Sequence, residues 1–191
     1  PSAFDSTGNG NTGALVNGPR WTTGIIGSAL EFDGVNDYVS VSAIDLKTYN
    51  DFTISAWYKS NASTVVDDQY IYMHGGANNA VNFSLTDDAG QTDRLRMFMQ
   101  VNSGALRVYY GTSDVVNNAW HHLVVTRGGG RIKLYVDGVK ETDTADLEAG
   151  SAIAVDATSG PFIGDSPGNT EQVNGILDDV RIYNRTLSTS E

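Results

Sequence analysis

Oxygen donors are concentrated in the opening stretch FDSTGNGNTG, residues 4–13. The carboxylate and amide side chains there belong to Asp5, Asn9 and Asn11, and three glycines leave the backbone free to turn its carbonyl oxygens inward. Ca²⁺ binds about six to eight such oxygens, so the stretch has suitable chemistry for a structural calcium site. The alternative is an Asx-turn network in which Asp5 and Asn9 accept hydrogen bonds from nearby backbone amides.

Aromatic and guanidinium side chains form a second group, at alternating positions in the middle of the chain. Exposed rings stack on sugar faces, and guanidinium groups bind carboxylate or sulfate in bidentate fashion. The alternation predicts that these side chains face outward from their strands, and we expect them to form one ligand-binding face that carries Trp57, Tyr70, Tyr72, His74, Asn82, Arg96, Phe98, Gln100, Arg107 and Tyr109. Such a face suits an extended oligosaccharide, including an acidic one. Alternatively, loops cover the face, Trp57 and Phe98 form a second small core, and the arginines pair with nearby aspartates.

The elements that position these side chains are predicted to be short β-strands. Runs such as FTISAWYKS, AVNFSLTD and RIKLYVDGVK alternate apolar and polar residues, and Gly, Asn, Asp and Ser clusters separate them. Asp137-Gly138 is a signal for a tight hairpin turn, because both positions tolerate positive φ. No segment shows sustained helical spacing. The pattern predicts an all-β, jelly-roll sandwich of two antiparallel sheets, with residues 1–191 as one domain.

Composition narrows the classes of partner. The chain has 191 residues, a net charge of −11 and no cysteine. The acidic balance argues against nucleic acid and anionic membrane surfaces, which require a basic footprint. No apolar run approaches the roughly 18 residues of a membrane span. The chain starts at Pro1 without a signal peptide, and we therefore expect a module excised from a larger secreted or extracellular protein, with neighbouring domains in the parent.

Several segments in order resemble one known family. GSALEFDGVNDYVSVS, FTISAWYK, WHHLVVTRGGGRIKLYVDGVK and GILDDVRIYNRTLS are similar to LamG-like jelly-roll domains of the concanavalin A-like lectin/glucanase superfamily. The opening DSTGNGNTG resembles the N-terminal loop of these domains, so the resemblance runs over about residues 5–188. Since functional sites are grafted onto folds, this resemblance is stronger for fold than for function.

The resemblance implies a concave sheet built from the middle strands. It also implies that the first and last strands pair, which would bring the opening loop close to Asp178 and Asp179. Similar domains often hold a structural Ca²⁺ between these two segments. The predicted calcium ligands are therefore Asp5, Asn9, Asn11 and Asp178. Asp178 is included because alternate residues of a strand share a face, and in GILDDVRIY this puts Asp178 on the same face as apolar residues. A carboxylate in such surroundings needs a strong partner.

Two kinds of catalysis are considered on this fold. Laminarinase-type hydrolases carry an ExDxxE strand, whereas EFDGVND offers only Glu31 and Asp33. A polysaccharide lyase would use Tyr and His for proton transfer and Arg or Gln to neutralise a uronate, but the lyase strand signatures are absent. We therefore expect a non-catalytic carbohydrate-binding module. A structural or adhesive spacer domain is the alternative, and a lyase is the less favoured one.

Overall fold

The computed structural model describes residues 1–41, 44–76, 79–101, 104–141, 152–154, 160–165, 168 and 170–191. Fifteen short strands and a 3-10 helix at Leu46–Thr48 make up its regular structure. All strand pairs are antiparallel, and the strands form two sheets, which confirms the predicted all-β sandwich. In the described part of the chain, no helix is long and apolar enough to cross a membrane.

Sheet A contains eight strands, in the spatial order β1 (Ser2–Ala3), β2 (Gly13–Val16), β5 (Tyr38–Ser40), β14 (Phe162–Ile163), β7 (Gln69–Gly76), β8 (Asn79–Thr86), β9 (Arg94–Gln100) and β10 (Leu106–Asp114). Sheet B contains seven strands, in the order β13 (Val139–Lys140), β12 (Arg131–Val136), β11 (Trp120–Gly128), β6 (Phe52–Ser60), β15 (Asn174–Tyr183), β4 (Ser28–Asp33) and β3 (Arg20–Thr23).

The inner faces of the two sheets meet in one hydrophobic core. Ile54 and Tyr58 of sheet B and Phe83 and Met97 of sheet A are fully buried there. These residues occupy alternate positions in their strands, as the two-residue period of β-structure requires. The alternate residues of each strand point away from the core, so each sheet also has an outer face.

The hairpin between β12 and β13 turns where the sequence indicated. Asp137 has φ 52° and Gly138 has φ 78°, and these two residues connect Val136 to Val139. Positive φ at both central positions matches the right-handed twist of the flanking strands.

A carboxylate that follows this hairpin joins sheet B to the edge of sheet A. Glu141 is 3% exposed and accepts hydrogen bonds from the amide of Thr112, from Thr112 Oγ1 at 2.7 Å, and from Ser113 N and Oγ, both at 2.9 Å. Burial raises the pKa of Glu141, but these hydrogen bonds together outweigh burial and lower the pKa below its usual value. Glu141 thus occupies backbone donors of the edge strand β10.

The first and last strands do not pair, contrary to the expectation from the resemblance. β1 pairs with β2 in sheet A, whereas β15 pairs with β4 and β6 in sheet B. The opening loop, which connects β1 to β2, therefore belongs to the edge of sheet A. Asp178 belongs to the middle of sheet B.

Candidate functional site

The outer face of sheet A is the structural counterpart of the predicted binding face. Strand register places five side chains in one row across β14, β7, β8, β9 and β10, namely Phe162, Met73, Asn82, Phe98 and Val108. Tyr70, Ser84, Arg96 and Tyr110 form the next row. Of the predicted ligand-binding residues, this face brings together Tyr70, Asn82, Arg96, Phe98 and Gln100.

Tyr72 and His74 lie on the opposite side of the sheet, so their predicted outward orientation is wrong. A β-bulge between Tyr70 and Tyr72 leaves Ile71 without a partner in the register. The extra residue shifts the alternation, so Tyr72 turns into the main core and Met73 turns outward. Tyr72 is fully buried and His74 is 2% exposed.

Their polar atoms are isolated in this environment. Tyr72 Oη and His74 Nδ1 have no hydrogen-bond partner among the residues that the structure describes. Burial lowers the pKa of His74, and nearby Asp45 opposes that shift only in part. A neutral, buried histidine is therefore part of the core and does not reach a ligand on the outer face.

Tyr109 and Arg107 were also predicted to face outward, and the register of β10 shows the reverse. Tyr109 pairs with the core residue Met97 and is 3% exposed, and Arg107 pairs with the core residue Met99. The outward positions of β10 are instead apolar, including Val108, which is 39% exposed. Because β10 is the edge strand of sheet A, its apolar residues need not face the core.

Trp57 lies on the other sheet. It belongs to β6, at the centre of sheet B, and pairs with His122 on one side and Asp178 on the other. The indole ring contacts the His122 ring with centroids 4.9 Å apart and planes tilted by 32°. The predicted grouping of Trp57 with the residues of β7–β10 is therefore wrong. The alternation of one strand shows which residues share a face but not which sheet the strand joins.

Arg96 is held by protein groups on the outer face of sheet A. The residue is 7% exposed, its Nη2 forms an ion pair with Asp68, its Nη1 lies 3.3 Å from Asp88 Oδ2, and its Nε donates to Ser84 Oγ at 3.2 Å. The Tyr110 hydroxyl donates to Asp88 at 2.7 Å and is the main cause of that carboxyl's lowered pKa. Burial raises the pKa of Asp68 despite the adjacent guanidinium. The Arg96 fork is thus already occupied by two carboxylates.

The middle of this face is a small apolar cluster separate from the main core. Tyr70, Met73 and Ala80 are 8%, 4% and 2% exposed, and the half-buried rings of Phe98 and Phe162 pack against them. This cluster matches the covered-face alternative for Phe98, although Trp57 takes no part in it.

Unsatisfied polar atoms lie beside the cluster. Asn82 is 5% exposed, and neither its Oδ1 nor the buried Oε1 of Gln100 has a hydrogen-bond partner in the described part of the chain. The Gln100 amide donates to Gly104 O at 3.2 Å. The half-exposed rings of Phe98 and Phe162 therefore provide the aromatic surface of this face, whereas the unsatisfied oxygens of Asn82 and Gln100 lie beneath it.

The opening loop forms its own hydrogen-bond network. Asp5 Oδ1 accepts from Thr7 N at 2.8 Å and Thr7 Oγ1 at 2.6 Å, Asp5 Oδ2 accepts from Asn11 N at 2.9 Å, and Asn9 N donates to Thr7 Oγ1 at 3.4 Å. The hydrogen bond from the Thr7 hydroxyl is the main reason why the pKa of Asp5 falls to about 2. The contacts of Asp5 are those of the Asx-turn alternative, whereas Asn9 contributes its backbone amide as a donor and not its side chain as an acceptor.

Asp178 does not join that loop. It is 5% exposed on the outer face of sheet B, where its Oδ2 accepts from Ile26 N at 2.8 Å beneath the β3–β4 turn. Gly24 passes so close that any side chain there would collide with this carboxylate. The predicted ligands Asp5, Asn9, Asn11 and Asp178 therefore do not fit one metal ion as a set. Within the described ranges, no group of three or more His, Cys, Asp and Glu residues is arranged to hold one.

Several residues of the outer face of sheet A escaped the sequence analysis. Met73 faces outward because of the bulge in β7, and Tyr110 lies on the edge strand β10. Neither the bulge nor the edge position has a local sequence signal. Phe162 reaches the face from a distant segment, and its ring meets Tyr38 edge-on at a centroid distance of 5.6 Å. Only long-range pairing brings these rings together.

Comparison with known proteins identifies the family. Residues 33–191 match the family model Laminin_G_3, described as concanavalin A-like lectin/glucanases superfamily. The chain belongs to the concanavalin A-like lectin/glucanases superfamily. The match confirms the resemblance seen in the sequence, and superfamily membership agrees with the two-sheet sandwich described above.

Individual members and structures of similar fold differ in their context. The chain is 30% identical over 145 residues to adhesion G-protein coupled receptor V1 of Danio rerio, which covers 73% of this chain but only 2% of the receptor. Domain 4 of AbnA, a GH43 extracellular arabinanase from Geobacillus stearothermophilus solved with arabinotriose, superposes with a TM-score of 0.71 at 20% identity, over 97% of this chain and 88% of that one. The binding domain of botulinum neurotoxin DC in complex with SialylT gives 0.73 at 14% identity, over 97% and 46%.

Proposed function

We propose that this chain is a non-catalytic glycan-binding module of an extracellular protein, and that the glycan lies on the outer face of sheet A. The observation that carries the proposal is the row across β14, β7, β8 and β9, in which the half-exposed rings of Phe162 and Phe98 lie on either side of Met73 and Asn82. The two rings offer apolar surface on which a sugar ring can stack.

The similarities support this proposal at the level of class. The arabinanase domain and the toxin domain were solved with carbohydrate-type ligands, and the receptor and the arabinanase are named as an adhesion protein and an extracellular enzyme. An extracellular location of the present chain rests on the same similarities.

The side chains considered for lyase chemistry do not share a solvent-facing site. Tyr72 and His74 are buried on the core side of β7, and Tyr109 lies in the core as well. Proton transfer to or from a polysaccharide requires groups within hydrogen-bond reach of it. The geometry of these three residues therefore supports binding over catalysis.

A structural or adhesive role is the second candidate, and the ion-paired state of Arg96 favours it. A guanidinium that already contacts Asp68 and Asp88 gives little selectivity for an acidic glycan. Under this reading the small apolar cluster stabilises the sheet, and the module contacts other protein domains of its parent.

Glycan-array screening followed by titration calorimetry on Phe98→Ala and Trp57→Ala separates the two candidates. Both substitutions remove a half-buried aromatic ring, but only Phe98 lies on the outer face of sheet A, so Trp57→Ala is the matched control. We expect Phe98→Ala to weaken glycan binding about tenfold, equivalent to ~1.4 kcal/mol, and Trp57→Ala to leave it unchanged. Equal losses in both variants, or no binding to any glycan by the unsubstituted protein, would contradict the proposal.

A further inference from the structure

A polar cavity lies at one end of the sandwich, away from the outer face of sheet A. Its volume is about 300 Å³. We call it the end groove, and its polar wall is formed by Asn17, Arg20, Glu31, Asp33, Asp37, Asn61 and Asn174. These residues come from the β2–β3 loop with the start of β3, the end of β4 with the β4–β5 turn, the residue after β6 and the start of β15.

The β4–β5 turn presents two of the carboxylates. Asp33 Oδ1 accepts from Val35 N at 2.9 Å, which closes an Asx turn, and Gly34 adopts a φ of 74°. Asp37 Oδ2 accepts from Asp33 N at 3.2 Å. The motif FDGVND, which offered no catalytic pair, thus forms one wall of the cavity.

Asp37 is incompletely satisfied in this wall. The residue is 5% exposed, and no described residue donates a hydrogen bond to its Oδ1. Gly18, with a φ of 123°, lies opposite, and a side chain built there would come within 3.9 Å of Asp37 Oδ1. Burial is the main cause that raises the pKa of Asp37, and Arg20 opposes the shift. This carboxylate borders the cavity, where its Oδ1 can accept a hydrogen bond from a ligand.

The rest of the end groove has more acceptors than free donors. The Asn61 amide is already engaged with Glu31 Oε1 at 3.1 Å, and the Asn17 amide donates to Asn36 O at 2.8 Å. Three carboxylates face one guanidinium among the lining residues, so the end groove is negatively charged. Such a wall favours ligands rich in hydroxyl donors and repels acid groups.

We infer that the end groove is a second binding site, which takes a single sugar ring without an acid group and holds it by hydroxyl donors to Asp37 and its neighbours. The volume lies at the small end of the range for ligand pockets, which suits one ring rather than an extended chain. This site is separate from the proposed glycan face, and the inference does not depend on whether that face binds a glycan.

NMR titration tests this site with the protein as it is. The probes are L-arabinose, D-galactose, D-glucose and D-glucuronate, and the reporters are the side-chain amide signals of Asn61 and Asn174. We expect saturable shifts of these signals with at least one neutral sugar and none with glucuronate. Asp37→Asn should weaken that binding about tenfold, because a neutral amide accepts hydrogen bonds more weakly than a charged carboxylate.

Two further variants keep the test decisive if Asp37→Asn fails to fold. Glu31→Gln alters the rim at a half-buried position, and Asn61→Ala alters it at an exposed one. Each should weaken the titration severalfold, with the Asn174 amide signal as the reporter in Asn61→Ala. Asp87→Ala, at an exposed position that does not line the end groove, is the control that should leave it unchanged. The inference is overturned if no neutral sugar shifts the two amide signals, if glucuronate binds equally well, or if all end-groove variants bind as the unsubstituted protein does.

Discussion

Replacement of Glu141 by alanine is expected to destabilise the domain far more than a typical loss of a surface carboxylate. The Glu141 carboxylate accepts four hydrogen bonds from the amides and hydroxyls of Thr112 and Ser113, and it is 3% exposed. It connects the segment after β13 in sheet B to the edge strand β10 of sheet A. Alanine would remove all four acceptor contacts at once.

The magnitude follows from what remains after the substitution. The two hydroxyls can rotate to other acceptors or to water, but the two amides lose a charged acceptor in a partly buried place. At about 1–3 kcal/mol for each unsatisfied buried amide, the free energy of unfolding should fall by about 3 kcal/mol. For a domain of this size, that loss corresponds to a decrease in Tm of roughly 6–12 °C.

Urea titration and thermal melts at pH 7 of Glu141→Ala, Glu141→Gln and the exposed control Asp87→Ala measure this effect. Glu141→Gln should lie between the unsubstituted protein and Glu141→Ala, since the amide retains one acceptor oxygen. Because the folded-state pKa of Glu141 is lowered, its contribution is present above the unfolded pKa and is lost as the pH falls through the folded one. A melting temperature of Glu141→Ala equal to that of Asp87→Ala would refute this reasoning.

Three further predictions concern Arg96, His74 and the opening loop. Arg96→Ala should lower the free energy of unfolding by roughly 3–5 kcal/mol, because it leaves the Asp68 carboxylate without its guanidinium partner. Urea titration should show that adding Asp68→Asn restores part of that loss. A stability unaffected by either change would contradict the ion-pair assignment. Because burial lowers the folded-state pKa of His74, the unfolded chain takes up a proton first, and stability should fall as the pH drops below about 6.5. His74→Leu should reduce this pH dependence of the urea midpoint. An unchanged slope of urea midpoint against pH would argue against a buried neutral imidazole. Calcium binding is tested by melting chelator-treated protein with increasing Ca²⁺: a rise in Tm that grows with concentration would support a cation at the opening loop, whereas a constant Tm would leave the hydrogen bonds of Asp5 as what orders it.

Period-two alternation predicted the strands and the sandwich well. In β6, β8 and β9 apolar residues of the alternating pattern, such as Ile54, Phe83 and Met97, are fully buried. The Asp137-Gly138 turn also formed as expected. These features depend on local geometry, in which side chains alternate and two residues accept positive φ, so the sequence contains their signal.

The candidate site was only half predictable, for reasons that begin beyond the single strand. A bulge at Ile71 reversed Tyr72, His74 and Met73, since one extra residue moves each following side chain to the other face. A second irregularity, between Asp178 and Arg181, includes Asp179 at a φ of 49° and breaks the parity on which the placement of Asp178 rested.

The sequence by itself determined that this chain forms an antiparallel sandwich of the concanavalin A-like type, through alternation, turn residues and family motifs. The tertiary structure alone decided which strands became neighbours. It placed Trp57 on sheet B, brought Phe162 beside Met73, paired Arg96 with Asp68, and assembled the end groove from four separate segments. The physical reason is that strand pairing and bulges are settled by the packing of whole sheets, a long-range free energy that no short stretch of residues encodes.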